Sequence, residues 1–298
     1  MKLNKELEDL FLNVSIKAAL SSYYLVGKKD KKGADKAAVD SMRLELNKIN
    51  MKGKIVIGEG ELDEAPMLYI GEKLGTGNGP SFDIAVDPVE GTNFVAKNLP
   101  GAMSVLAIAE KGNLFNAPET YMEKIAVSQD VPSDVVDLDF SVEKNINNLS
   151  EALKKKPHEI TVCLLNRPRH KEIIKILNKL KVNIKFISDG DVSGALLVTN
   201  KIYGVDMFMG IGGGPEGVIA AAALNSENCK FQGRFLFNSE TDINRAKKMG
   251  IRDLNKKYEI NEIIKGESIF CATGITNGDL MNGIQRKNDK YITETIYT

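Results

Sequence analysis

The chain has 298 residues, 43% of them hydrophobic, and its 40 basic and 40 acidic side chains cancel. A balanced charge gives no reason to expect nucleic acid or an anionic membrane as a partner, and no apolar run approaches a membrane span. With only two histidines, His158 and His170, and no G-x-S-x-G elbow, a Ser-His-Asp hydrolase or a His-rich zinc site is nearly excluded. Any chemistry must rest on carboxylates, hydroxyls, lysines or a bound metal. Three scattered cysteines, Cys163, Cys229 and Cys271, suit a reducing cytoplasm better than a disulfide framework. The first residues alternate charged and apolar side chains and read as no signal peptide.

Leu3, Leu7, Leu10, Phe11 and Val14 recur at helical spacing, which predicts an amphipathic helix from Leu3 to about Leu25. A basic, glycine-bounded loop follows, Gly27-Lys-Lys-Asp-Lys-Lys-Gly33. It reads either as a solvated connector or as a phosphate-facing lysine loop beside Asp35. Asp35 also stands where it could cap the next helix, which carries Ala38, Val39, Met42, Leu46 and Ile49. Lys54–Ile57 reads as a strand, and Gly58-Glu-Gly-Glu-Leu-Asp-Glu64 after it holds four acids in six residues. One or two acids could start a helix over Pro66–Leu74; four are more than that needs.

The stretch Ser81-Phe-Asp-Ile-Ala-Val-Asp-Pro-Val-Glu-Gly-Thr-Asn93 organises the rest. Phe82–Val86 reads as a buried strand that Pro88 should stop, because proline has no N–H to donate. Asp87, Glu90 and Thr92 would then stand on a turn at the carboxyl end of a strand, where open α/β sheets place ligands. Two acids three residues apart, with no base between them, repel unless a cation sits there. All-oxygen ligands suit a hard ion, Mg²⁺ or Mn²⁺. Beyond this, Ala102–Ala109 reads as a strand and Asn116–Lys124 as a loop carrying Tyr121. A soft domain boundary is expected in the polar stretch 131–156, giving domains 1–150 and 151–298.

The second half alternates strand and helix: Ile160–Leu165, His170–Leu180, Val182–Ile187, Val192–Thr199, Val205–Ile211, Pro215–Leu224, then an extended Lys230–Phe237. That rhythm predicts a mostly parallel sheet with helical crossovers. Its strand ends carry Arg167-Pro168-Arg169, Asp189-Gly190-Asp191 and Gly212–Gly217, which should form one crevice. Ile269–Thr273 offers one more strand and Tyr291–Tyr297 an edge strand. Gly212, Gly214 and Gly217 also match G-x-G-x-x-G, raising a dinucleotide-binding protein as an alternative. Against it, Pro215 and Glu216 occupy the helix start where a pyrophosphate would sit. The expected ribose-binding acid is missing as well; Glu240 comes slightly late. Glu216 reads better as a metal ligand at a helix N-terminus.

Several stretches taken together resemble the bacterial class II fructose-1,6-bisphosphatases: Gly58–Glu72, Asp83–Thr92, Asn116-Ala-Pro, Tyr121–Lys124, Pro168-Arg-His170, Asp189–Val192, Gly210–Gly217 and Ala272–Asp279. Asp87-Pro-Val-Glu-Gly-Thr92 also resembles the signature of the wider lithium-sensitive phosphatase superfamily, which includes inositol monophosphatases. The resemblance implies an α/β (α+β) fold, a layered α/β/α/β/α sandwich. It implies Mn²⁺ or Mg²⁺ held by Asp35, Glu59, Asp87, Glu90 and Glu216. Substrate contacts are implied at Glu90, Gly91, Thr92, Tyr121, Arg167, Pro168, Arg169, Asp189, Gly190, Asp191 and Gly213, and catalytic roles at Thr92, Asp63, Glu61 and Lys31.

The activity implied is hydrolysis of the 1-phosphate of fructose 1,6-bisphosphate in gluconeogenesis, by a cytoplasmic homo-oligomer, dimer or tetramer. The alternatives are another sugar, inositol or nucleotide phosphatase, or a sugar-phosphate-binding protein without activity. The chain departs from its relatives at Arg167, where lysine is common, in the lysine loop, and in stopping soon after Thr293-Glu-Thr295.

Overall fold

Two six-stranded sheets organise the computed structural model, which describes residues 5–60 and 67–298. The chain separates into two units, residues 1–116 with 264–298, and residues 117–263. The expected boundary at 150 falls inside a helix instead. The 116/117 division follows from pairing: the strand that begins at Tyr121 lies between two strands of the second sheet.

In the first unit, α1 (Lys5–Tyr23) buries Leu7, Phe11 and Val14 of the expected stripe, together with Ala18 and Ala19, while Leu10, expected in the stripe, is 40% exposed. Phe11 meets Phe82 edge to face, with ring centroids 6.0 Å apart. Helix α2 (Lys31–Leu46) takes half of the expected lysine loop into its first turn. Its cap is Asp30, which accepts the N–H of Gly33 at 2.8 Å, so Asp35 is not the cap. Strand β1 (Lys52–Ile57) pairs antiparallel with the short β2 (Lys73–Leu74) and parallel with β3 (Ser81–Glu90).

The helix expected over Pro66–Leu74 is absent from the described part of that range. Leu68 and Gly71 take positive φ (55° and 95°), which no helix tolerates, and Lys73 and Leu74 are extended. Buried Glu72 holds this turn instead. It accepts from the N–H of Leu68 and, at 2.6 Å, from Arg43 on α2.

Strand β3 also corrects an expectation, since it runs through Pro88. Its pairing with β1 ends at Ala85, and against β4 (Met103–Glu110) the register slips by one residue between Asp87 and Glu90. A proline costs little in a bulge where no ladder bond is due. Helix α3 (Thr92–Lys97) starts directly after it.

The second unit begins with β5 (Tyr121–Val127), where a loop was expected. Then come α4 (Val142–Leu153), β6 (Thr161–Leu165), α5 (Lys171–Lys179), β7 (Asn183–Ile187), α6 (Asp191–Leu196), β8 (Met207–Gly213), α7 (Gly214–Ser226) and β9 (Lys230–Leu236). Helix α8 (Glu240–Lys248), β10 (Lys257–Glu259) and α9 (Ile260–Ile263) close it. The sheet order is β10-β9-β5-β8-β6-β7. Strands β6, β7 and β8 pair in parallel as expected. The β8–α7–β9 crossover does not pair its own strands, because β5 lies antiparallel between them.

Residues 264–298 return to the first unit. Strand β11 (Ser268–Gly274) pairs with β4 from Met103 to Ala109, and β14 (Thr295–Tyr297) adds the edge, giving β14-β11-β4-β3-β1-β2. The expected strand over Tyr291–Tyr297 is two short ones. Strand β13 (Lys290–Ile292) belongs to a separate hairpin with β12 (Gln285–Lys287). Among the described residues no helix is long and apolar enough to cross a membrane.

Candidate active site

In the first unit, β1 and β3 are parallel, so their carboxyl ends lie on one edge of the sheet. Glu59 follows β1; Asp87 and Glu90 end β3. Glu90 is 4% exposed, a carboxylate withdrawn from water at the bulge. Asp87 Oδ1 accepts the N–H of Val89 at 3.2 Å, which sets the turn around Pro88. Gly91 takes φ 81°, and Thr92 is the first residue of α3. A side chain at Gly91 would be strained and would press on Phe94.

Helix α2 comes to the same place through backbone bonds. The N–H of Gly27 donates to Val95 O (2.9 Å) and that of Lys29 to Ala96 O (2.8 Å), tying the start of α2 to α3. Lys31, exposed, begins α2, and Asp35 lies one turn on, partly buried. Burial raises the Asp35 pKa, and the charge of Lys31 opposes that rise. Glu61 and Asp63 lie outside the described residues.

In the second unit, the carboxyl ends of β6, β7 and β8 share an edge, and the start of antiparallel β5 joins them. This brings Arg167, Pro168, Arg169, Asp189, Gly190, Asp191, Gly213 and Glu216 to one edge, where the three strand ends were expected, and Tyr121, expected in a loop, joins them at the start of β5. The guanidinium of Arg169 lies 4.8 Å from the centre of the Tyr121 ring, and its Nε donates to Ile211 O at 2.9 Å. Arg167 lies 3.9 Å from Asp189. Gly190 takes φ 84° and sets Asp191 at the first position of α6. Asp191 pairs with Lys124, which is 1% exposed.

The glycine-rich turn leaves room for neighbouring side chains. A Cβ on Gly212 would overlap the Asp191 carboxylate, one on Gly213 that of Glu216, and one on Gly210 would stand 3.0 Å from His170 Nε2. The missing side chains make room for acids and a histidine, which counts against the dinucleotide alternative.

Glu216 sits in the first turn of α7. Its Oε2 is enclosed and has no hydrogen-bond partner. Burial pushes its pKa up; Lys124 opposes this, while Asp191 and Asp189 add to it. An enclosed carboxylate oxygen with nothing bound to it suits a hard cation, and the expected ligands are all carboxylates. Among the described residues, though, no three Asp, Glu, His or Cys side chains gather as a metal cluster.

Two residues at this edge carried no expected role. Lys124 is a lysine in the otherwise apolar second half of β5; that placement, and its position at the end of the Tyr121–Lys124 stretch, were its only signals. His170 is wholly buried; its Nδ1 lies 2.6 Å from Leu165 O, and Nε2 accepts the N–H of Ile211 at 2.8 Å. Those partners fix the neutral ring with its proton on Nδ1. Burial lowers its pKa below the ordinary 6.5. Just below pH 6.5 the unfolded chain takes up a proton that the folded chain refuses, so this group's contribution to stability falls as pH drops. Urea unfolding of wild type and His170→Asn at pH 7.5 and 5.5 should therefore show a smaller acid-side loss in the variant. An equal loss in both would remove His170 from the pH dependence.

Comparison with known proteins adds the family. Residues 5–298 match bacterial fructose-1,6-bisphosphatase, glpX-encoded. The D-fructose 1,6-bisphosphatase class 2/sedoheptulose 1,7-bisphosphatase of Prochlorococcus marinus is 44% identical, over 99% of this chain and 92% of that protein. The fructose-1,6-bisphosphatase 1 class 2 of Escherichia coli is 42% identical, over 99% and 91%. A solved extragenic suppressor protein suhB from Bartonella henselae is similar at TM-score 0.37 and 12% identity, over 66% of this chain and 73% of that one, too distant to carry an argument. With the family match running nearly end to end, the chain belongs to the bacterial, glpX-encoded fructose-1,6-bisphosphatases.

Proposed function

We propose that this chain hydrolyses the 1-phosphate ester of fructose 1,6-bisphosphate to fructose 6-phosphate and inorganic phosphate, a step of gluconeogenesis in the cytoplasm. Membership of the family supports the reaction. The observation that carries the substrate is the second unit's sheet edge, where Arg169 is stacked on Tyr121 and anchored to Ile211 O, with Arg167 beside it. Two guanidinium groups with a tyrosine suit a phosphate that stays on the sugar, because arginine offers a planar fork to phosphate oxygens. A monophosphate substrate would leave that grip unused.

The remaining roles follow from residue chemistry. Asp35, Glu59, Asp87 and Glu90 of the first unit, and Glu216 of the second, are the residues that would hold divalent metal, Mn²⁺ or Mg²⁺. When bound, the metal offsets charge on the phosphoryl oxygens and acidifies water. Thr92, oriented by Asp63 or Glu61, positions the attacking water. Water adds to phosphorus, the P–O bond to C1 breaks, and the departing oxygen takes a proton. Lys31 and the N–H groups of Gly91 and Thr92 hold the phosphate that leaves. Arg167, Arg169 and Tyr121 hold the 6-phosphate against the Pro168, Gly190 and Gly213 backbone. Asp189 and Asp191 accept from sugar hydroxyls.

Phosphate release from fructose 1,6-bisphosphate should require Mn²⁺ or Mg²⁺ and stop with EDTA. Sedoheptulose 1,7-bisphosphate belongs in the same assay, given the Prochlorococcus relative's name. Folded protein that releases no phosphate with either metal would sink the reading.

A further inference from the structure

Lys124 is the feature at this edge that the family reading leaves without a role. Its ammonium lies inside the second unit, 1% exposed, paired with an Asp191 that is 8% exposed. Withdrawing both charges from water is costly, and an apolar pair of similar size would often serve the fold as well or better. The surroundings are shaped for the charges all the same. A Cβ on Gly217 would press on Met122 Sδ at 2.6 Å and come within 3.2 Å of Lys124 Cε, and one on Gly212 would overlap the Asp191 carboxylate. Gly217 therefore leaves room for Met122 and Lys124 together, and Asp191 has a slot along β8.

The backbone of Asp191 is fixed by the left-handed turn at Gly190, so side-chain rotation is its main remaining freedom. The Lys124 ammonium takes Oδ2. The other ionisable groups acting here are Glu216 and Asp189, both acids, the neutral ring of His170, and two guanidinium groups with partners of their own: Arg169, held by Ile211 O and the Tyr121 ring, and Arg167, beside Asp189. Lys124 is the cation that bonds the Asp191 carboxylate.

We infer that Lys124 is a positioning residue for the sugar: by holding Oδ2 it fixes the rotation of the Asp191 carboxylate and leaves Oδ1 for a substrate hydroxyl. The inference rests on the proposed phosphatase function, in which Asp191 meets the sugar. Lys124 touches no reacting atom. It also favours the charge of Glu216, and the double-mutant cycle separates that effect, because a loss through Glu216 would add to that of Asp191→Asn.

The test is a double-mutant cycle on fructose 1,6-bisphosphate hydrolysis with Mn²⁺, using wild type, Lys124→Met, Asp191→Asn and the double variant. Asp191→Asn and Lys124→Met should each lower kcat/KM by about 30-fold or more, and the double variant should fall no further than Asp191→Asn alone, within about twofold. A lysine needed only for folding would add its own loss to that of Asp191→Asn. The inference is overturned by wild-type kcat/KM in Lys124→Met, or by a double variant about tenfold or more below Asp191→Asn. Should Lys124→Met alone fail to fold, the double variant still decides, since it leaves neither charge buried alone. Absence of turnover in wild type would bring down the phosphatase reading and this inference with it. Turnover in wild type with an unaffected Lys124→Met brings down only the inference.

Discussion

Glu216→Gln should make the metal-free protein more stable and the enzyme nearly inactive. The wild-type carboxylate has an enclosed Oε2 with no partner, and burial together with Asp189 and Asp191 disfavours its charge more than Lys124 favours it. A buried polar group without a partner costs about 1–3 kcal/mol. Removing the charge while keeping the shape should recover part of that, a rise in unfolding midpoint of roughly 2–6 °C for a chain of this size. The same change removes a proposed metal ligand, and kcat/KM should fall about a thousandfold, equivalent to about 4 kcal/mol of transition-state stabilisation. Thermal unfolding with and without Mn²⁺ separates the two effects. Wild type should gain stability from the ion and Glu216→Gln should gain much less. If the variant unfolds several degrees below wild type without metal, the carboxylate serves the fold through Lys124 and the trade of stability for function is wrong.

Gly213→Ala should inactivate the enzyme while leaving the fold intact. Gly213 has φ −67° and ψ 141°, a conformation open to any residue. Alanine there carries no backbone strain and slightly restricts the unfolded chain, so stability should stay within about 1 kcal/mol of wild type. The glycine is required for space: an added Cβ would overlap Oε2 of Glu216. The carboxylate must rotate away, and kcat/KM should drop by about 100-fold or more with an unchanged circular dichroism spectrum. Gly210→Ala provides the contrast, because φ 137° and a Cβ 3.0 Å from His170 Nε2 make that position conformational as well as steric. It should lose stability. An active Gly213→Ala enzyme would mean that Glu216 works from another position or not at all.

These two glycines show how far the sequence could be read. The repeat of strand, glycine and helix placed α7, the arginines after β6 and the acids after β7 and β8 on one edge, because crossover topology follows from local periodicity. It could not reveal that β5 sits between β8 and β9, since that pairing joins residues far apart in the chain and leaves no local mark. For the same reason Tyr121 was expected in a loop and the unit boundary near 150. Pro88 was expected to end β3, a sound rule for regular ladders that fails at a bulge. The acids of Glu59–Glu64 fit the start of a helix over Pro66–Leu74, whereas Glu72 bonds back to Leu68 and across to Arg43 and holds a turn there. Lys124 escaped notice because nothing near it in sequence shows that Asp191 will meet it.

The discontinuous first unit has a bearing on synthesis. Strand β4 needs β11 as its second neighbour, and roughly 150 residues separate them in the chain. At translation speeds of about 5–20 residues per second, the apolar edge Val105-Leu106-Ala107-Ile108 waits roughly ten to thirty seconds for its partner. Residues 117–263 form their own sheet from contiguous chain and need nothing that comes later. The nascent protein therefore completes its middle before its beginning, and during that interval β4 is an open strand edge on which another nascent chain can add.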